Sequence, residues 1–220
     1  MSIPTVHEMF DLSHTLAASV FEGRTYPWEI LGGLKDYVYA LGESLGEEYE
    51  QRTPGVWIHR TARVAPSAAI EPPAVIDREA EVRHCAYIRG SVIVGAGAVV
   101  GNSTELKNCL LFDGVQVPHY NYVGDSVYGY RAHTGAGVIA SNVKGDRSDV
   151  TVKGEGEAIP TGRYKVGAML GDFAEVGCNS VLCPGAVVGP HARVYPLCRV
   201  RGTVPAHSVY KGEGNIVPIQ

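Results

Sequence analysis

From Ile58 onward the chain places an aliphatic or aromatic residue at every sixth position: Ile58, Val64, Ile70, Ile76, Val82, Ile88, Val94, Val100, Leu106 and Phe112. A helix repeats apolar residues at 3.6 and a half-buried strand at 2, so this period fits neither. The fourth residue after each is constrained as well, as Ala62, Ala68, Ala74, Ala80, Ala86, Val92, Ala98, Thr104 and Leu110. After an interruption the register resumes as Leu170, Val176, Leu182, Val188, Val194 and Val200, with Ala174, Ser180, Ala186, Ala192, Cys198 and Val204 in the small places. A six-residue repeat predicts a parallel β-helix in which three hexads make one coil. One large and one small inward residue per hexad fills a narrow triangular coil. Stacking by threes sets Ile58 under Ile76, Val94 and Phe112, each coil rising about 4.8 Å, the spacing of hydrogen-bonded strands. Glycine directly after the large residue, as at Gly95, Gly101, Gly177 and Gly189, fits a corner where the backbone turns tightly or takes a positive φ.

Three segments lie outside the period. In residues 1–55 the apolar positions fall at helical spacing, first from Val6 to Phe21 and again from Ile30 to Leu45 after Pro27. This predicts two helices capping the open edge of the first coil, with Gly32-Gly33 weakening the start of the second. Residues 145–165, GDRSDVTVKGEGEAIPTGRYK, are charged and Gly-rich with a short Val150/Val152 alternation. They read as a loop or hairpin thrown out from one corner of a coil, placed to wall a site. The organisation expected is therefore a helical cap at 1–55, a solenoid at 56–205 carrying the inserted loop, and a tail at 206–220.

Composition narrows the partners. The chain has 220 residues, 45% of them apolar and 19% charged, with a formal net charge of −4. No two Lys or Arg are adjacent, which disfavours a nucleic-acid or anionic-membrane surface and leaves small-molecule chemistry as the expectation. No apolar stretch approaches the ~18 residues of a membrane span, and the start MSIPTVHEMFDLSH has neither the basic residues nor the apolar run of a signal peptide, so a cytoplasmic protein is expected. The five Cys form no C-x-x-C pair, and the eight His include no H-x4-H. Neither a disulfide framework, nor a metal site, nor the three converging His of a metal-dependent hydratase is expected.

The repeat is broken chemically between residues 84 and 146, where RHCAYIRG, GNSTELKN, VPHYNYVGDSV, HTGAG and SNVKGD follow one another. With the hexapeptide pattern, these motifs resemble the left-handed β-helix acyltransferases over roughly residues 56–205. The nearest likeness is to the acetyltransferase half of bifunctional enzymes that acetylate glucosamine-1-phosphate and then uridylylate it. The version found with sugar-1-phosphate nucleotidylyltransferases is closer still, because it too carries a charged insertion with a TGR-like return. Short solenoids described as pyrophosphorylase-related are similar along their whole length. The resemblance implies a left-handed parallel β-helix, mainly β, acting as an acetyl-CoA-dependent N-acetyltransferase on an amino sugar phosphate. It also implies a homotrimer with sites between protomers.

Moving an acetyl group from a thioester to an amine requires the amine to lose a proton, and a neutral imidazole is well matched to take it. His119 occupies the place of the family's general base; a corner His satisfying a backbone carbonyl is the alternative. Tyr122 matches the substrate-binding Tyr, Arg89 and Lys107 the phosphate and sugar contacts, and Glu105 and Asn142 the polar sugar contacts, although Arg89 and Lys107 also read as solvated surface cations. The thioester carbonyl would develop an oxyanion, which the backbone N–H groups of Gly135, Ala136 and Gly137 are placed to meet on the acetyl-CoA side. Asp125 reads as a turn-former pairing with backbone N–H groups. Two departures bear on the substrate. His133 stands where the family has a sugar-contacting Asn, and residues 1–55 contain no Gly-rich nucleotide-binding loop. The competing reading is a non-catalytic module that binds a sugar phosphate or nucleotide sugar, or that partners a separate sugar nucleotidyltransferase.

Overall fold

The computed structural model describes residues 2–219. It is a parallel β-helix of triangular section whose walls are columns of short strands stacked in register. The first wall begins with Val56–His59, Ala74–Ile76 and Val92–Val94 and continues through the second halves of Glu105–Leu111 and Tyr122–Tyr128. The second wall contains Glu81–Val82, Val99–Asn102, Gln116–His119 and His133–Thr134. The third contains Tyr87–Arg89, the first halves of the two seven-residue strands, and Ile139–Ala140. Inward side chains such as Ile76, Ile88, Val100 and Leu106 are wholly buried. An antiparallel partner finishes one wall at each end, Tyr49–Thr53 on Val56–His59 and Asn215–Pro218 on Ser208–Gly212, while short strands such as Arg63–Val64 and Arg199–Val200 remain parallel edges.

The register departs from the six-residue count at the same corner of two successive coils. Val94 pairs with Leu111, not Phe112, and Leu106 stacks on Val123 only 17 positions later. Glu105–Leu111 and Tyr122–Tyr128 are continuous strands that turn the corner between the third and first walls with one residue fewer. Phe112 is thereby freed from the interior and packs against Phe10 and Phe21 at ring-centroid distances of 5.0 and 6.0 Å. Strand alternation then makes Cys109 the small inward residue and turns Leu110 outward.

The four glycines that follow large residues do not take positive φ; corners place that conformation on other residues, among them Cys85, Ser103, Asn108, Tyr120, Asp125 and Phe173. What these glycines satisfy is the approach of the next coil. A Cβ on Gly101 would lie 1.6 Å from the Pro118 carbonyl oxygen, and one on Gly95 would lie 2.5 Å from the Phe112 carbonyl carbon.

The N-terminal residues differ most from expectation. In place of two helices there is one turn at Val6–Met9, 3-10 turns at Leu12–His14, Ala18–Phe21 and Pro27–Gly32, and a single helix, Leu34–Ser44, that begins after Gly33. These elements do not sit on the open end. They run along the outside of the first wall, from Asp172, whose N–H donates to the Met9 carbonyl, down to the first coils. The reason is legible in the strands: the outward residues of that wall are Trp57, Val75, Ile93, Leu110, Val127, Met169 and Val187, all buried. An apolar outer face of that length is stable in water only when something covers it.

Candidate functional site

Asp125 organises the polar centre of the molecule. It sits where the second of the two shortened corners turns, at φ 49°, and is 2% exposed. Its carboxylate accepts from Asn142 Nδ2 at 2.6 Å, Asn108 Nδ2 at 2.8 Å and Lys107 Nζ at 3.2 Å. The expected pairing with backbone N–H groups is replaced by these three side chains, because the shortened corner brings Lys107 and Asn108 of one coil directly beneath Asp125 of the next. A buried carboxylate needs such donors to remain charged.

Around it the third wall presents the predicted polar side chains in one row. Arg89 Nη1 donates to Glu105 Oε1 at 2.6 Å, and Glu105 stacks on Tyr122. Asn142 Nδ2 also approaches the Tyr122 hydroxyl at 3.2 Å. Burial, followed by the nearby Asp125 and Glu105 charges, pushes the Tyr122 phenol above its usual range, so it stays protonated and able to donate. The hydrogen bond to Glu105 holds the Arg89 guanidinium above its ordinary value. Gly124 is required here, since a Cβ would lie 2.5 Å from the Tyr122 hydroxyl and 2.9 Å from Asn142 Nδ2. Arg89, Glu105, Lys107, Tyr122 and Asn142 are thus brought together.

His119 ends a strand of the second wall and is exposed at the corner leading to Tyr122. Its carbonyl accepts from Gly137 N–H at 3.0 Å, so the Gly135-Ala136-Gly137 corner lies one coil above it. Asn121, 3% exposed, fixes that stacking by donating to the Gly135 carbonyl at 2.8 Å and accepting from the His119 N–H at 3.1 Å. The imidazole itself has no hydrogen-bond partner among the described residues. Of the three corner N–H groups, Gly135 donates to the Val176 carbonyl and Gly137 to that of His119. Ala136 N–H has no protein acceptor among the described residues, which leaves it as the one free donor of the predicted trio.

His133 does not join the cluster. It faces outward from the second wall, between Gln116 and Glu175, with Nδ1 3.0 Å from Glu175 Oε2.

Beside Asp125 a cavity of about 440 Å³ opens between the coil, the N-terminal segment and the insertion. Lys35, Lys107, Arg163 and Lys165 line it, with Asp125 and Asp149. Lys35 was not singled out from the sequence; the 145–165 insertion was expected to wall a site, but Arg163 and Lys165 were not named as its cations. No local pattern marks Lys35, because the contacts that bring it to the insertion are long-range. The insertion itself is a short hairpin, Thr151–Lys153 against Ala158–Pro160. Among the described residues no three His, Cys, Asp or Glu converge as metal ligands, and no helix is long and apolar enough to cross a membrane.

Comparison with known proteins bears on these features. Residues 70–159 match the GMPPB C-terminal domain family. The bifunctional sugar-1-phosphate nucleotidylyltransferase/acetyltransferase of Sulfurisphaera tokodaii is 38% identical over 97 residues, 44% of this chain and 24% of that protein. The bifunctional protein GlmU of Methanococcus maripaludis is 28% identical over 196 residues, 87% of this chain and 47% of that protein. The chain therefore spans less than half the length of these relatives. A hexapeptide transferase family protein from Anaplasma phagocytophilum aligns structurally with a TM-score of 0.49 at 16% identity, covering 74% of this chain and 78% of that one. The chain is thus similar in sequence to GlmU-type bifunctional proteins and carries the hexapeptide-repeat solenoid.

Proposed function

We propose that the chain is an acetyl-CoA-dependent N-acyltransferase acting on an amino sugar phosphate. The observation that carries this reading is the row formed by exposed His119 at the corner entering the third wall, the free Ala136 N–H one coil above it, and the cationic cavity at the far side of that third wall. A base, an oxyanion donor and an anion site in that order suit an acceptor whose amine lies at one end and whose phosphate lies at the other. The acetyltransferase activity named in the S. tokodaii relative supports the same chemistry.

In this mechanism the acceptor amine attacks the thioester carbonyl carbon while His119 takes the amine proton. Ala136 N–H donates to the carbonyl oxygen as it becomes an oxyanion. Collapse breaks the C–S bond, and the proton on His119 passes to the departing thiolate, yielding the amide and free coenzyme A. Tyr122 and Asn142 meet the sugar hydroxyls, and Arg89 with Glu105 flanks the ring. The exposed apolar residues Tyr120, Ile139, Val181 and Leu197 are the surface a second copy would cover. The reading accordingly includes a trimer, with His133 reaching a neighbouring protomer's site instead of its own.

One observation favours a second reading. Among the described residues nothing fixes the His119 tautomer, as a general base requires, and a solenoid that binds a sugar phosphate without turning it over would need no such partner. The test is to incubate the protein with acetyl-CoA and a panel of amino sugars and their 1-phosphates, reading acetylated product by mass spectrometry. Product with one acceptor, lost in His119→Ala, is expected. Acceptor binding without product would replace the enzyme by the binding module.

A further inference from the structure

The N-terminal segment is attached to the acceptor site and not merely to the wall behind it. Asn108 Nδ2, already donating to Asp125, also reaches the Leu31 carbonyl at 3.3 Å. Leu31, Gly32 and Lys35 therefore form one side of the cationic cavity, opposite the 162–165 return of the insertion. Lys35 lies in the first turn of the Leu34–Ser44 helix and is exposed to the cavity.

The charges in this cavity are unbalanced. Four cations line it against two carboxylates, and Asp125 is saturated by its own donors. Among the described residues none of Lys35, Arg163 and Lys165 is in an ion pair. Arg163 Nε is buried without any hydrogen-bond partner among those residues. A buried guanidinium donor left unsatisfied is costly, and its placement in a cavity of surplus positive charge points to an anionic ligand. Gly32 leaves room for that guanidinium, since a Cβ there would lie 2.8 Å from Arg163 Nη1.

We propose that the N-terminal segment completes the acceptor site and selects a terminal phosphomonoester: Lys35, Lys107, Arg163 and Lys165 grip the phosphate, and Leu31-Gly32 closes the cleft beyond it. This rests on the reading of the third wall as the acceptor site. The surplus of two positive charges matches a phosphomonoester, which carries nearly two negative charges at neutral pH. A nucleotide-linked diphosphate would have to continue through the space that Leu31 and Gly32 occupy.

The test is calorimetric titration of the full chain, without acetyl-CoA, using glucosamine 1-phosphate, glucosamine and UDP-N-acetylglucosamine. The monophosphate is expected to bind at least tenfold more tightly than either of the others. Lys35→Ala, an exposed helix position that tolerates truncation, should weaken the monophosphate about tenfold, the size of one charge-assisted contact, and leave glucosamine unchanged. Gly32→Ala, which displaces the Arg163 guanidinium, should do the same. Equal affinity for the nucleotide sugar, or unchanged monophosphate affinity in both variants, overturns the proposal. Phosphate-selective binding with no acetyl transfer would sink the enzyme reading and leave this one standing. Acetyl transfer with an unaltered KM in Lys35→Ala would do the reverse.

Discussion

The link between Lys107 and Asp125 joins fold to site, and its strength can be worked out. Asp125→Asn keeps the shape but removes the charge and turns two N–H groups toward a pocket already filled by donors from Lys107, Asn108 and Asn142. Hydrogen bonds to a charged group contribute about 1.5–3 kcal/mol each, and an uncompensated buried charge costs about 3–5 kcal/mol. Here the Lys107 side chain is 27% exposed, so water recovers part of the loss and about 2–4 kcal/mol is expected. For a chain of this size that corresponds to a Tm lower by roughly 5–12 °C. Lys107→Met leaves Asp125 with two amide donors and should cost about half as much. In a double-mutant cycle followed by thermal circular dichroism, the double variant should be about 1 kcal/mol more stable than the sum of the singles predicts. Additivity within about 0.3 kcal/mol, or an Asp125→Asn midpoint within 1 °C of the parent, would refute the claim that this carboxylate ties adjacent coils together.

Two further outcomes follow from packing and from burial. Gly101→Ala, whose Cβ would meet the Pro118 backbone at 1.6 Å, should displace the coil carrying His119 and cost at least about 3 kcal/mol, since backbone cannot yield as a side chain does; chemical denaturation measures it. Asp172 accepts from the N–H groups of Asp11 and Tyr130 at 2.7 Å each, yet burial raises its carboxyl above the ordinary range. A raised acid favours the neutral form in the fold, so the parent gains stability as pH falls through the raised folded value toward the unfolded value near 3.9. Asp172→Asn lacks that gain, and calorimetry should find its deficit larger at pH 4.5 than at pH 7; a constant deficit would contradict the assignment.

The repeat was legible because its cause is local: an inward large residue every sixth place is required by each coil separately, and Ile76, Ile88 and Val100 sit where counting put them. Leu111 and Phe112 show where counting stops. Both are apolar and adjacent, so the pattern accommodates either, and the choice is made by the corner that drops a residue to bring Lys107 beneath Asp125. The glycines teach a related lesson, for sequence shows where a side chain is absent but not whether φ or a neighbouring coil forbids one. Candidate site residues such as His119, Lys107 and Ala136 were proposed through their motifs. Which of Gly135, Ala136 and Gly137 keeps a free N–H was not legible, because hydrogen bonds to the Val176 and His119 carbonyls decide that.

The outward row from Trp57 to Val187 was visible in principle, as every third hexad carries an extra apolar residue between its two inward ones. It changes what the first 45 residues are for. A cap on the first coil would act tens of ångströms away from the upper coils, at about 4.8 Å per coil, whereas a strip laid along the wall touches nearly every coil. Covering that face holds Asn108 against Leu31, and Asn108 also holds Asp125. Loosening the strip should therefore weaken the Asp125 cluster before it unwinds the coils, because inward residues such as Leu106 and Val123 bury themselves without it. Burial outside the solenoid and order inside the site are in this way one structural event, carried by a single asparagine side chain.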